Sequence, residues 1–286
     1  MRCAAKTNLF LKVTGKREDG YHLLQTLFIP LCGIADELTL RDGEAGIRCA
    51  SAEVALPDNL VCRAAQLYAD TAGITPAWDF ALEKKIPVAA GLGGGSSDAA
   101  GALRLLNDRY GCFSAEELSG MALKLGADVP FFLDPRPAWA EGIGEDFRYL
   151  PSLNELPPIL VVNPRFPVSA KWAYTHLAPE KIGPAAAGSA DRMEKALCAG
   201  DWAGVAREVC NDLAFALYRK FPVLTVLRNF MLAHGALCAE VSGSGSSLFA
   251  ILPDPAACRS LAAALRQEFA DAALPVFEVC TGAGVE

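Results

Sequence analysis

Five short segments of the chain carry residues that could do chemistry. The first is IPVAAGLGGGSSDAA, residues 86–100. Glycine has no Cβ, so the backbone N–H groups of such a segment can turn inward and approach an anion closely. Ser96 and Ser97 stand where a helix begins, and the open N–H groups and dipole of a helix start favour phosphate. The segment lacks the Gly-Lys-Ser/Thr ending of a Walker A loop. Its alternative is a glycine turn packing a strand against a helix; three successive glycines followed by two serines favour phosphate. The second segment, Ala5-Lys6-Thr7-Asn8, sets a lysine and an amide before an apolar strand, and alone it reads as a solvated lysine. The third, GADVPFF over residues 126–132, puts Asp128 just after a helix end, where it serves equally as a turn residue or as a catalytic base. The fourth is Tyr21-His22 after Gly20. Alone, Tyr21 reads as finishing a turn and His22 as a structural histidine beside an apolar strand. The fifth, Ser242-Gly243-Ser244-Gly245-Ser246-Ser247, is either a hairpin turn or a second clamp of backbone donors.

The elements that must position these residues follow from periodicity. Residues 9–40 alternate apolar and polar positions and predict strands joined by a turn at 17–20. Trp78, Phe80 and Leu82 alternate with polar or small residues, which predicts another strand. Ala99, Ala102, Leu103, Leu106 and Tyr110 share a helix face that Gly111 can end. Ser114 and Glu117 have capping-box spacing for a second helix through Leu125, closed by Gly126. Past the prolines at 151, 157 and 158, the pattern predicts a buried strand at 159–162 and helices near 193–198, 203–213 and 223–233. It continues with strands near 237–241 and 248–252, a helix begun by Asp254-Pro255, and a last strand at 276–280. This order is that of a split β-α-β unit of the ferredoxin-like kind. The small-residue segment 183–190 reads as a mobile loop.

Composition narrows the function. The 286 residues are 52% hydrophobic, enough for two modest domains. A formal net charge of −7 with no Lys/Arg-rich block argues against a nucleic-acid partner. Ten cysteines lie scattered, with no C-x-x-C, and read as small buried hydrophobes in a reducing cytoplasm. The apolar run at 9–11 is cut by Lys6 and Lys12, short of a signal-peptide core, and no run reaches the roughly 20 apolar residues of a membrane span. The expectation is a cytoplasmic protein without membrane or nucleic-acid partners; a homodimer is a possible state.

Together the motifs AKTNLFL, TGKREDGYH, IPVAAGLGGGSSDAA, GADVPFF and VSGSGSSLF resemble the GHMP kinase superfamily over nearly the whole chain, and the diphosphocytidyl-methylerythritol kinases within it in particular. The resemblance implies an α+β chain of two domains. Residues 1–155 would be the ATP-binding and catalytic domain, similar to ribosomal protein S5 domain 2. Residues 156–286 would be a ferredoxin-like domain, with the active site in the cleft between the two. It implies Lys6 and Asp128 as catalytic residues. It implies ATP binding by Lys84 and by Pro87, Val88, Ala89, Ala90, Gly91, Leu92, Gly93, Gly94, Gly95, Ser96 and Ser97. It implies substrate binding by Asn8, Tyr21, His22, Gly243, Ser244 and Gly245, and it implies Mg²⁺ without naming its ligands. The implied reaction carries the γ-phosphoryl of ATP to the 2-hydroxyl of a cytidine-diphosphate-bearing methylerythritol, in the non-mevalonate route to isoprenoid precursors. Rival readings are a homoserine or mevalonate kinase, a decarboxylase of the same architecture, and a nucleic-acid-binding module. Ala89 and Ala90 stand where the superfamily often has glycine, Thr7 replaces an apolar residue, and residues 163–179 match loosely.

Overall fold

Near the N-terminus the residues from Cys3 to Leu11 are buried without a break, so the long strand they form is covered on both faces. The computed structural model describes residues 1–51, 59–150, 153 and 155–279. In chain order the elements begin with β1 (Arg2–Lys16), β2 (His22–Asp42), β3 (Gly46–Ala50), α1 (Leu60–Ala72), β4 (Ala77–Glu83), α2 (Gly94–Tyr110) and α3 (Ala115–Leu125). Then follow β5 (Ala138–Glu141), β6 (Asp146–Tyr149), β7 (Ile159–Val162), α4 (Ala170–Thr175), α5 (Ser189–Ala199), α6 (Trp202–Glu208) and β8 (Cys210–Asn211). The chain closes with α7 (Ala214–Lys220), α8 (Pro222–Ala233), β9 (Cys238–Val241), β10 (Leu248–Ile251), α9 (Pro255–Glu268) and β11 (Val276–Val279).

The chain packs as two compact units. The first holds Met1–Ala5, Ile34–Val88 and Gly93–Arg136; the second holds Lys6–Gly33, Ala89–Leu92 and Pro137–Glu286. In the first unit the end of β2 pairs antiparallel with β4, from Glu37 opposite Glu83 to Asp42 opposite Trp78, and β3 runs parallel to β4. Helices α1, α2 and α3 pack on one another. Trp78, Phe80, Tyr68, Leu103 and Leu106 are buried. The expected signals work as chemistry requires: Ser114 and Glu117 form the reciprocal capping box, and Gly111 ends α2 in the left-handed region that favours glycine. Tyr110, at the end of that shared face, is partly exposed, and its hydroxyl accepts from the Trp78 indole at 2.8 Å.

In the second unit β7, β9, β10 and β11 form an antiparallel sheet in the order β11-β7-β10-β9. Numbered along the chain this is 4-1-3-2. With α8 before β9 and α9 between β10 and β11 it is the ferredoxin-like split β-α-β pattern. Leu160, Val162, Leu248 and Ala250 face Leu227, Met231, Leu261 and Leu265 in one core cluster. The helix expected over 203–213 is corrected. Helix α6 ends at Glu208, and Cys210 and Asn211 form β8, parallel to Phe10 and Leu11 of β1. Asn211 is buried, and its amide donates to the carbonyls of Val241 and Gly243, both at 2.8 Å. Pairing with β1 and these side-chain bonds outweigh continuation of the helix. The segment 183–190 is loop only to Gly188, where α5 starts at Ser189. The expected strand end at Cys280 lies outside the described residues.

Candidate active site

Lys6 and Asn8 lie two apart on β1 and so face the same way. The Lys6 ammonium donates to Asn8 Oδ1 at 2.9 Å and stands 4.8 Å from the centre of the Phe28 ring. The Asn8 amide donates to Thr26 Oγ1 at 2.7 Å, and Thr26 donates on to the Phe10 carbonyl at 2.7 Å. The whole chain is buried, so each bond fixes the next. The Lys6 backbone N–H donates to the Leu92 carbonyl at 2.9 Å, which ties β1 to the glycine-rich loop. Thr26 carried no signal in the sequence, because its alternation is that of any strand residue.

Thr7 points to the other face and explains its departure from the superfamily. Its hydroxyl donates to Ser242 Oγ at 3.0 Å, and Ser242 donates to the Gly91 carbonyl at 2.9 Å. The 242–247 loop folds on itself through Ser242 N–H to Ser247 O at 2.9 Å and Gly245 N–H to Ser242 O at 2.8 Å. Asn163 holds Ser247 Oγ at 3.0 Å, and Ser246 donates to the Phe166 carbonyl. A Cβ on Gly243 would stand 3.1 Å from the Gly91 carbonyl and 3.4 Å from Asn8 Oδ1. Gly243 and Gly245 thus bring the hairpin against residues 89–92, backbone on backbone, with Ser244 half-buried at its tip. Ala89 holds a positive φ of 51°, a conformation glycine takes freely, and its carbonyl accepts from Val168 N–H at 3.0 Å.

In the first unit the loop meets α2 at Gly93, whose φ of 73° lets the chain turn into the helix. No side chain caps this helix start and no acid lies in its first turn, whereas Asn59 caps α1 and Ser114 caps α3. Gly95 is exposed, Gly94 and Ser96 are half-buried, and Ser97 is buried with its N–H on the Gly93 carbonyl. The first turn is an open set of backbone donors at a positive dipole end, suited to phosphate. Pro87 is half-buried and Val88 exposed, while Ala90 and Leu92 are buried.

Lys84 is buried between two carboxylates. It donates to Asp36 Oδ2 and, at 2.7 Å, to Asp98 Oδ2. Asp36 Oδ1 also accepts the backbone N–H groups of Lys85 and Ile86, at 2.6 and 2.8 Å. Burial pushes Asp98 up to about 7, with Asp36 adding to the shift and Lys84 opposing it. The neighbouring Lys85 is half-exposed and pairs with Glu37 and Glu83. Asp128 is half-buried in the turn between α3 and the single helical turn Pro130–Leu133, where Val129 N–H donates to the Gly126 carbonyl at 3.1 Å. Sequence reasoning missed Asp36 and Asp98. Asp98 stood in the glycine-rich motif, but Asp36 gave no signal among ordinary strand residues.

Tyr21 is 58% exposed at the tip of the turn, with its N–H on Asp19 Oδ1 at 3.1 Å. His22 stacks on Tyr174 of α4, ring centres 5.3 Å apart at 23°. Burial lowers the His22 pKa from its ordinary value, and Lys16 lowers it further, which favours the neutral ring. Tyr174 falls in the loosely matching stretch and was not anticipated.

Comparison with known proteins decides the family. The model for the GHMP kinases N terminal domain matches residues 59–134, and that for the GHMP kinases C terminal matches residues 193–271. A 4-diphosphocytidyl-2-C-methyl-D-erythritol kinase of Symbiobacterium thermophilum is 40% identical over 89% of this chain and 90% of its own. The chain belongs to the GHMP kinase family. A crystal structure of 4-(cytidine 5'-diphospho)-2C-methyl-D-erythritol kinase, 37% identical, superposes with a TM-score of 0.82 over 99% of both chains. Homoserine kinase from Cytophaga hutchinsonii is only 20% identical but shares the fold, with a TM-score of 0.71 over 98% of this chain and 96% of its own. The α+β architecture expected of this GHMP kinase is therefore the one found. Among the described residues no helix is long and apolar enough to cross a membrane.

Proposed function

We propose that this GHMP kinase transfers the γ-phosphoryl group of ATP to the 2-hydroxyl of 4-diphosphocytidyl-2-C-methyl-D-erythritol. The observation that carries the reading is 40% identity, across 89% of the chain, to a protein of that name. The neutral His22 ring on Tyr174 supports the cytidine moiety, because one donor and one acceptor can address a pyrimidine edge. A homoserine or mevalonate kinase has no base to read, and a nucleic-acid module is at odds with a net charge of −7.

The roles follow from the chemistry. The substrate hydroxyl oxygen forms a bond to the γ-phosphorus as the bond to the β-bridging oxygen breaks, and ADP leaves. Asp128 accepts the hydroxyl proton. Lys6 offsets the negative charge of the reacting groups, held in place by Asn8 and the Phe28 ring. Residues 87–97, with Lys84, hold the phosphates of ATP, chiefly through the open first turn of α2. Asn8, Tyr21, His22 and the 243–245 loop bind the acceptor. Mg²⁺ supplies charge neutralisation on the phosphates when bound. Residues 1–155 and 156–286 act as the catalytic and the ferredoxin-like domain of a cytoplasmic enzyme, with a homodimer as one possible state. ADP release measured across a panel of alcohols tests the reading. The diphosphocytidyl substrate should be turned over and yield no CO₂; turnover of homoserine or mevalonate instead would replace it.

A further inference from the structure

The two buried carboxylates that flank Lys84 have no place yet in this scheme. Asp36, Lys84 and Asp98 expose 0%, 4% and 4% of their side chains. Burying one cation with two anions is costly, and a well-packed apolar trio would serve stability better. Their placement gives a reason to keep them. The Lys84 ammonium lies 3.3 Å from the point where a Cβ on Gly94 would stand, so it sits against the first residue of α2. That is the uncapped helix start. The acids grip Lys84 from two elements, Asp36 from β2 and Asp98 from α2 itself. Asp36 also holds the N–H groups of Lys85 and Ile86, which lead into the phosphate loop. One oxygen of Asp98, Oδ1, is buried without a hydrogen-bond partner, a cost accepted while Oδ2 is spent on Lys84.

We propose that Asp36 and Asp98 are positioning residues for ATP, clamping the Lys84 ammonium beneath the N-terminus of α2 so that its charge adds to the helix dipole where the phosphates bind. The inference rests on the kinase reading above. Asp36→Asn is the sharpest test, because the amide oxygen keeps the two backbone N–H bonds while its NH₂ turns toward the ammonium and breaks the clamp. Asp98→Ala removes the second grip, and Lys84→Met removes the charge while filling the space.

The experiment measures kcat and both KM values on the full chain, with folding checked by circular dichroism. Each variant should raise the KM for ATP about tenfold or more while the KM for the diphosphocytidyl substrate stays within about twofold. Lys84→Arg should recover part of the loss. The decisive reading is non-additivity: Asp98→Ala placed on Lys84→Met should add nothing further to the KM for ATP, because Asp98 acts through Lys84. Folded variants that keep the wild-type KM for ATP, or a double variant whose effects simply add, overturn the inference and leave the kinase reading standing. A wild-type chain that releases no ADP with any alcohol overturns both. Should Asp36→Asn fail to fold, the Asp98 and Lys84 pair decides by the same criterion.

Discussion

Gly91 and Ser242 are held so close that a methyl group on Gly91 would overlap the Ser242 carbonyl oxygen, while the Ser242 hydroxyl donates to the Gly91 carbonyl at 2.9 Å. The added Cβ would also come within 2.8 Å of Gly245 N. No side chain fits between the two loops. Gly91→Ala should therefore destabilise the fold by about 2–4 kcal/mol, combining left-handed strain with overpacking. Gly111→Ala is the control: its φ of 64° is similar, but nothing lies within 4 Å. It should cost only about 1–2 kcal/mol. Equal losses in chemical denaturation would mean that the close approach contributes nothing.

Lys6→Ala and Asp128→Asn should each leave the fold intact and remove most turnover. A general base contributes about 10²–10⁴-fold, so Asp128→Asn should fall in that range. Single-turnover kinetics at saturating ATP would check it. A wild-type rate in folded Asp128→Asn would remove Asp128 from the mechanism.

His22 should give the acceptor its pH dependence. Its pKa is lowered, so the neutral ring that can both donate and accept persists to a lower pH than for an ordinary histidine. The KM for the diphosphocytidyl substrate should be flat above neutrality and rise only as pH falls through that lowered value. His22→Ala should raise this KM, leave the KM for ATP nearly unchanged, and abolish the acid limb. CMP or CDP should protect the wild type against heat more than it protects the variant. An acid limb that survives in His22→Ala would assign it to another group.

Asp98 predicts a pH-dependent stability of opposite sense to an acid whose pKa is lowered on folding, because burial outweighs its pairing with Lys84. Its folded value is raised to about 7 from 3.8, so between those values the folded chain binds the proton more tightly than the unfolded chain does. Stability from this group is greatest below the unfolded value, falls as pH rises through the window, and levels off above about 7. Asp98→Asn cannot ionise. Its stability relative to the wild type should rise with pH from 4 to 7 and then stay level, followed by urea denaturation. A difference that is flat across that range would place the ionisation elsewhere.

Much of this molecule is written locally. Helix starts and stops at Ser114, Asp254, Gly111 and Gly126, and the alternation of Trp78, Phe80 and Leu82, depend on neighbours within a few residues, so the chain by itself determines them. The glycine loop was legible for the same reason, since missing Cβ atoms are a property of the residues. What the tertiary structure decided is which residues meet. Thr7 reaches Ser242 across 235 positions, Asn8 finds Thr26, and His22 finds Tyr174. Asp36 comes to lie against Lys84 from 48 positions away, on a strand whose pattern marks it as nothing special. Cys210 and Asn211 leave a helical pattern because β1 offers open strand partners there and Asn211 satisfies two carbonyls of another strand and its loop. Such contacts depend on loop closure and packing over long separations, and no periodicity of a single segment encodes them.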